Sequence, residues 1–472
     1  MRNAPKRNGN RGVADTPNST TSTTGITTDD QFWNSSPKLK YIRDYAHARG
    51  VRVAPWALLF TVLTRICAAV PPNVVLPALA GGSPMSLNFY IGLLGASGDG
   101  KGNTERAARN LIPDMRNALV TQPASGEGLA AIYAKRTTDE EKNSILTCVT
   151  PRALLDIPEI ATLGATAKRI GSTVIPTLTS SWSGEELGAH NKNEDNRLNV
   201  PEYGYRMAMV TGIQPANLRI VLEQAGTGLP QRLIWASVLD PDTPEHGQPI
   251  PDSMALFDPG QLPEEPSQYA YDTLYQSGSR WEMLNHGEST YPLTCIKVPD
   301  AIRASSDADS TIRLRGKRAN PLDGHMMGVQ LKLAALLAIL EHADRLEVDA
   351  LDWERAQYAY AKSSRFRADA IRQAQASKRD QRAASIQLED EAREQAEQRK
   401  LGQAETRIKN YLHAHDTMGE GIAGYVIQKS MGRLYKFTYD ALQSLYAQGI
   451  IQPTSIEDYK SGTWTLTEDA VW

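Results

Sequence analysis

The apolar run "LNFYIGLL" is followed directly by Gly95, Ala96, Ser97, Gly98, Asp99, Gly100, Lys101, Gly102, Asn103 and Thr104, and then by the helix-like "ERAARNLI". A strand, a glycine-rich turn ending in lysine and a helix, in that order, make a phosphate-binding loop. Successive backbone N–H groups and the helix N-terminus converge on phosphate oxygens, and the lysine reaches the terminal phosphates. One position breaks the pattern. After the lysine, where Ser or Thr supplies a hydroxyl to magnesium, this chain has Gly102. Thr104 does not replace it, since two residues along a helix is a rotation of roughly 200°. The segment reads either as a nucleotide site whose metal is anchored elsewhere, or as a glycine-rich turn that contains a lysine.

The anchor would be a carboxylate at the end of a neighbouring strand, and "ALLDIPEI" supplies Asp156 and, three residues on, Glu159. Both are candidate metal residues, with Asp156 nearer the ion and Glu159 as the general base for an attacking water. The alternative is that the two acids end a strand and start a helix. "YRMAMVTGI" and "QRLIWASVL" are further apolar runs. Their alternation with polar and helical material predicts an α/β core, a sheet with helices on its faces.

Around that core, residues 1–30 read as a disordered tail and 31–85 as an N-terminal helical collar. Within the collar, Leu59, Val62, Leu63 and Ile66 recur at helical spacing and predict a buried amphipathic helix. That stretch is interrupted by Arg65 and prolines too early for a membrane span. Residues 86–375 hold the core and a helical lid, and 376–402 form an exposed charged helical linker. Residues 403–472 read as three short helices closed by a hairpin, the winged-helix arrangement. The net charge of -3 gives no global attraction to nucleic acid, so any such contact must be a local patch. Cys67, Cys148 and Cys295 are too dispersed for a zinc or disulfide framework, and a reducing cytoplasm fits them.

The phosphate loop, the acidic strand end, "YRMAMVTGIQPANL", "GTGLPQRLIW" and "LKLAALLAILEHADRLEVDALDWERA" occur in the order seen in AAA+ ATPases. More narrowly the chain resembles the replication helicases and primase-associated helicases of phages and actinobacterial mobile elements, similar in layout to minichromosome-maintenance helicases. The likeness covers about residues 40–365 and extends to the C-terminal winged helix. It implies an AAA+ type P-loop NTPase core and an ATP hydrolase that uses ATP and magnesium. Its partners would be copies of itself in a hexameric ring and single- or double-stranded DNA, with no membrane.

The resemblance also assigns residues. Gln214 would orient the attacking water, and Arg232 would reach the terminal phosphate of a neighbouring subunit. His325 and Lys332 stand where the lid places a cation against the phosphates. Lys192 and Arg197 would lie on a channel hairpin that tracks DNA, and Lys429, Arg433 and Lys436 would form a basic edge on the winged helix. The rival readings are a P-loop kinase or nucleotide-switch ATPase in packaging, loading or defence, and a non-hydrolysing winged-helix DNA-binding scaffold.

Overall fold

The computed structural model describes residues 25–79, 82–123, 125–167, 172–188, 198–277, 291–317, 320–455 and 458–468; Lys192, Arg197 and most of the expected tail lie outside them. The chain divides into two compact units, Met1–Ala374 and Gln375–Trp472, and the division falls within the helix Ala350–His415.

The first unit is α/β. Its centre is a sheet of five strands: β1 (Phe89–Leu94), β2 (Leu119–Thr121), β3 (Arg152–Ile157), β4 (Arg206–Ile213) and β5 (Leu233–Ser237). They lie in the order β2-β3-β4-β1-β5, and every pairing is parallel. All residues of β1 and β4 are buried, which is why these strands read as continuous apolar runs rather than alternating ones. The register sets Leu94 beside Ile213, and Ile157 beside Thr211. The carboxyl ends of β1, β3 and β4 therefore finish side by side, and the segments that leave them meet at one edge. β2 is short, lies at the sheet's edge and exposes two of its three residues, so it carries no apolar pattern in the sequence.

The helix Pro55–Ala69 is buried on every side rather than amphipathic, because it is covered by the sheet and by neighbouring helices within one core. Arg65 is tolerated there because its Nε donates to the Ile112 carbonyl at 2.7 Å, just past the end of the helix Lys101–Leu111. A cation suits the carbonyl end of a helix. The helices Asp29–Asn34 and Pro37–Ala46 contribute Phe32, Trp33, Leu39 and Ile42 to the same core.

Lys332 was expected at the phosphates, and the structure corrects that. Its helix, Met326–Glu341, is buried from Val329 to Leu340, and Lys332 is itself fully buried. Its Nζ donates to the Asn88 carbonyl at 2.8 Å and to the Trp182 carbonyl at 2.5 Å, and stands 3.4 Å from the Trp182 ring centroid. The ammonium is consumed by holding β1 to the helix Val174–Ser183. Burial drives its pKa well down.

In the second unit the stretch expected as a separate first helix is the end of Ala350–His415. Helices Gly424–Ser430 and Thr438–Ala447 follow. Strand Thr463–Leu466 pairs antiparallel with Ile422–Ala423 on one side and Ile451–Pro453 on the other. Trp464, Ile408, Leu412, Ile427 and Leu442 fill its core. Among the described residues no helix is long and apolar enough to cross a membrane.

Candidate active site

The loop leaving β1 has the backbone its sequence demands. Gly98 and Gly100 take φ values of +92° and +98°, the left-handed region that side-chain-bearing residues avoid. The Ala96 N–H donates to Asp99 Oδ2 at 2.6 Å and closes the turn. Gly100 is the N-cap of the helix Lys101–Leu111 and supplies no side-chain cap to its first N–H groups. Lys101 Nζ folds across the loop onto the carbonyls of Gly95 and Ala96, at 2.7 and 2.8 Å.

A cleft of about 440 Å³ opens against this loop. Its walls are Ser97, Gly98 and Gly100 to Asn103, the next helical residues Glu105 and Arg106, and, just past the ends of the adjacent strands, Pro158, Glu159 and Gln214. Gly212 makes that convergence possible. A Cβ there would lie 2.1 Å from the Pro158 carbonyl oxygen and 3.2 Å from Lys101 Cδ, so any side chain would push the acidic turn and the lysine apart.

Glu159 Oε1 accepts a hydrogen bond from Asn217 Nδ2 at 3.1 Å. Asn217 ends the short 3-10 turn Pro215–Asn217 that begins immediately after Gln214. The end of β4 thus delivers Gln214 to the cleft and fixes the orientation of the carboxylate opposite. Sequence reasoning missed Asn217, although "QPAN" marks a tight turn there. Asn217→Ala is expected to lower turnover about tenfold, the value of one hydrogen bond to a charged group at about 1.5 kcal/mol, with KM unchanged. Steady-state kinetics of the variant checks this, and an unchanged kcat would reduce the contact to packing.

Asp156 is the next-to-last residue of β3, half-buried behind the cleft wall rather than in it. Burial raises its pKa, and Arg109, Glu105 and Arg65 act in the opposite direction. Glu105 lies between Asp156 and the cleft. Its carboxyl is pushed up to about 7, first by burial and then by the charge of Asp156. Glu105 and Arg106 were also missed, because both read as ordinary surface residues of a polar helix.

Among the described residues no group of three or more His, Cys, Asp or Glu forms a self-sufficient metal cage. Magnesium shared with phosphate and water needs only one or two carboxylates. The donor set fits that requirement: Asp156 Oδ1 is buried with no hydrogen-bond partner, Glu105 lies beside it, and Glu159 stands across the cleft.

Arg232 and His325 lie elsewhere. Leu233, the residue after Arg232, pairs with Tyr90, so Arg232 sits at the amino end of the sheet, roughly 20 Å along the strands from Gly95. Its Nη1 donates to the Gly228 carbonyl at 2.9 Å, and its guanidinium lies 5.5 Å from the Trp182 ring centroid. Its Nε is buried without a partner. His325 meets Trp182 edge-on and approaches the same spot. A Cβ on Gly228 would lie 2.3 Å from Arg232 Nη1 and 3.6 Å from His325 Nε2. The expectation that His325 meets the phosphates of its own cleft is therefore corrected: the start of its helix is at the Arg232 end.

In the second unit Lys429, Arg433 and Lys436 are exposed on the helix Gly424–Ser430 and the turn Gly432–Phe437, accompanied by the exposed Tyr425 and Tyr435. Lys429 Nζ stands 5.6 Å from the Tyr425 ring. Residues 404–472 nonetheless contain six Lys or Arg against eight Asp or Glu, so the patch is local. The sequence matches no protein-family model, and no curated protein matches it closely enough to indicate common descent.

Proposed function

We propose that the chain is a magnesium-dependent ATPase of the AAA+ type that works as a homo-oligomeric ring and drives movement along, or remodelling of, DNA in the replication of a phage or mobile element. One observation carries the reading. The glycine loop with Lys101, the carboxylate of Glu159 and the amide of Gln214 arrive from the ends of three adjacent parallel strands at one cleft. Those are the groups that phosphoryl transfer to water requires.

In this reading the loop N–H groups and Lys101 hold the β- and γ-phosphates. Gln214 orients a water in line with the γ-phosphorus, and Glu159, steadied by Asn217, takes its proton. The new bond forms from the water oxygen to phosphorus while the bond to the bridging oxygen breaks, releasing ADP and phosphate. Glu105 and Glu159, with Asp156 behind them, would hold magnesium, which would supply positive charge against the negative charge developing on the phosphates. Arg232 supports the reaction in the next subunit, because its position at the opposite end of the sheet keeps it from its own cleft.

The second unit, read as a winged helix, would present Lys429, Arg433, Lys436 and the two exposed tyrosines to the DNA backbone. Nucleotide titration of the purified full chain, followed by ATPase assays with and without single-stranded DNA, tests the proposal. Binding and DNA-stimulated hydrolysis are expected. A chain that binds no nucleotide would instead be a DNA-binding scaffold on a nucleotide fold.

A further inference from the structure

The break in the loop pattern at Gly102 leaves open space beside another polar residue of the same helix. No atom lies within 4 Å of the position a Cβ on Gly102 would take. The place from which a hydroxyl would reach a nucleotide-bound cation is therefore open space. Glu105 stands three residues on in the helix Lys101–Leu111. Residues three apart share a helix face, so Glu105 and Gly102 stand on the same side of the helix.

Both residues line the cleft, and so does Glu159 on its facing side. Asp156, the residue the sequence pattern offers for this role, is one layer deeper. It does not line the cleft, and Arg65 and Arg109 face it from the helices Pro55–Ala69 and Lys101–Leu111. It bears on the cleft indirectly, because the Glu105 carboxyl lies close enough for the charge of Asp156 to act on it.

We propose that Glu105 is the protein ligand presented to nucleotide-bound magnesium, in place of the hydroxyl absent at position 102, with Asp156 as the positioning residue behind it. The assignment rests on the ATPase reading above. It also makes a prediction that a hydroxyl would not. A carboxylate beside the phosphates repels them until a cation is shared between them, so nucleotide affinity is unusually dependent on the metal. A purely structural Glu105 would produce no such dependence.

The experiment is an equilibrium titration of the full chain with a non-hydrolysed ATP analogue, in excess magnesium and in chelator. The ratio of the two dissociation constants is the readout. For Glu105→Gln the ratio is expected to fall roughly 10–100-fold, the usual loss for a residue that holds or orients a metal ligand. It falls from both sides: affinity with magnesium weakens, and affinity in chelator improves as the repulsion is removed. Adding Gly102→Ser to Glu105→Gln is expected to recover part of the ratio, since a hydroxyl then occupies the open space. Mn²⁺ bound to the protein–analogue complex, followed by its paramagnetic resonance, should weaken in parallel.

Glu105→Asp keeps the charge with a shorter reach and gives an intermediate ratio, which guards against a Gln variant that folds poorly. A wild-type ratio in both Glu105 variants overturns the role of Glu105 while leaving the ATPase reading intact. Wild-type chain that binds no analogue in either condition overturns both.

Discussion

Glu159→Gln is expected to bind ATP as the wild type does and to hydrolyse it about 10²–10⁴-fold more slowly, the range a positioned general base contributes. The substitution is close to isosteric, and a glutamine Oε1 still accepts the Asn217 N–H, so the acidic turn should keep its place against Gly212. The glycine loop, Lys101, Glu105 and Asp156 are untouched, which is why binding survives. Single-turnover hydrolysis by the variant, alongside a nucleotide titration, separates the two quantities. A rate near that of the wild type would favour the other reading of these acids, in which Glu159 merely precedes the helix Ile160–Ala167.

The same residues show which parts of the site a sequence can reveal. The glycine loop is a local object: glycine conformation, strand and helix all lie within about twenty consecutive residues, and each leaves its mark in residue type. Glu159 and Gln214 were legible because each closely follows an apolar run, and parallel strands bring their carboxyl ends together. Asp156 and Glu105 could not be ranked that way. Which of two nearby carboxylates faces the cleft depends on the depth of β3 relative to the helix Lys101–Leu111, and packing alone sets that depth.

Lys332 shows the opposite failure. A single lysine in the apolar run "VQLKLAALLAIL" suggests chemistry, yet the carbonyls that claim it belong to Asn88 and Trp182, which lie 244 and 150 residues away in the chain. Arg206 is similar: it is fully buried, and its guanidinium donates to the carbonyls of Val70, Pro71 and Val74. Buried cations of this kind are satisfied by partners that no local pattern announces.

Arg232→Ala is expected to retain nucleotide binding and to lose hydrolysis about 10³-fold or more, the size of effect seen when an arginine delivered to the transition state is removed. The argument is geometric. Arg232 immediately precedes β5 at the end of the sheet opposite the loop, roughly 20 Å along the strands from Gly95, so one chain cannot use its own arginine on its own nucleotide. On the ring reading, a direct catalytic effect of Arg232 then passes between subunits. To act there the guanidinium has to leave the Trp182 ring, a cation–π contact worth about 0.5–2 kcal/mol, and the carbonyl of Gly228. Its buried Nε, which has no partner, makes the resting position less than fully satisfied.

Mixing experiments separate a packing role from a catalytic one. Chains carrying Lys101→Ala and chains carrying Arg232→Ala should each be inactive alone. Combined, they form some interfaces with an intact Lys101 on one side and an intact Arg232 on the other, and hydrolysis should return in part. Full activity of Arg232→Ala alone, or inactive mixtures of two well-folded variants, would leave Arg232 as the packing partner of Trp182 and would remove the shared interface from the mechanism. Recovery on mixing would require that the arginine of one chain serve the cleft of another, since the strand register allows no route within a single subunit.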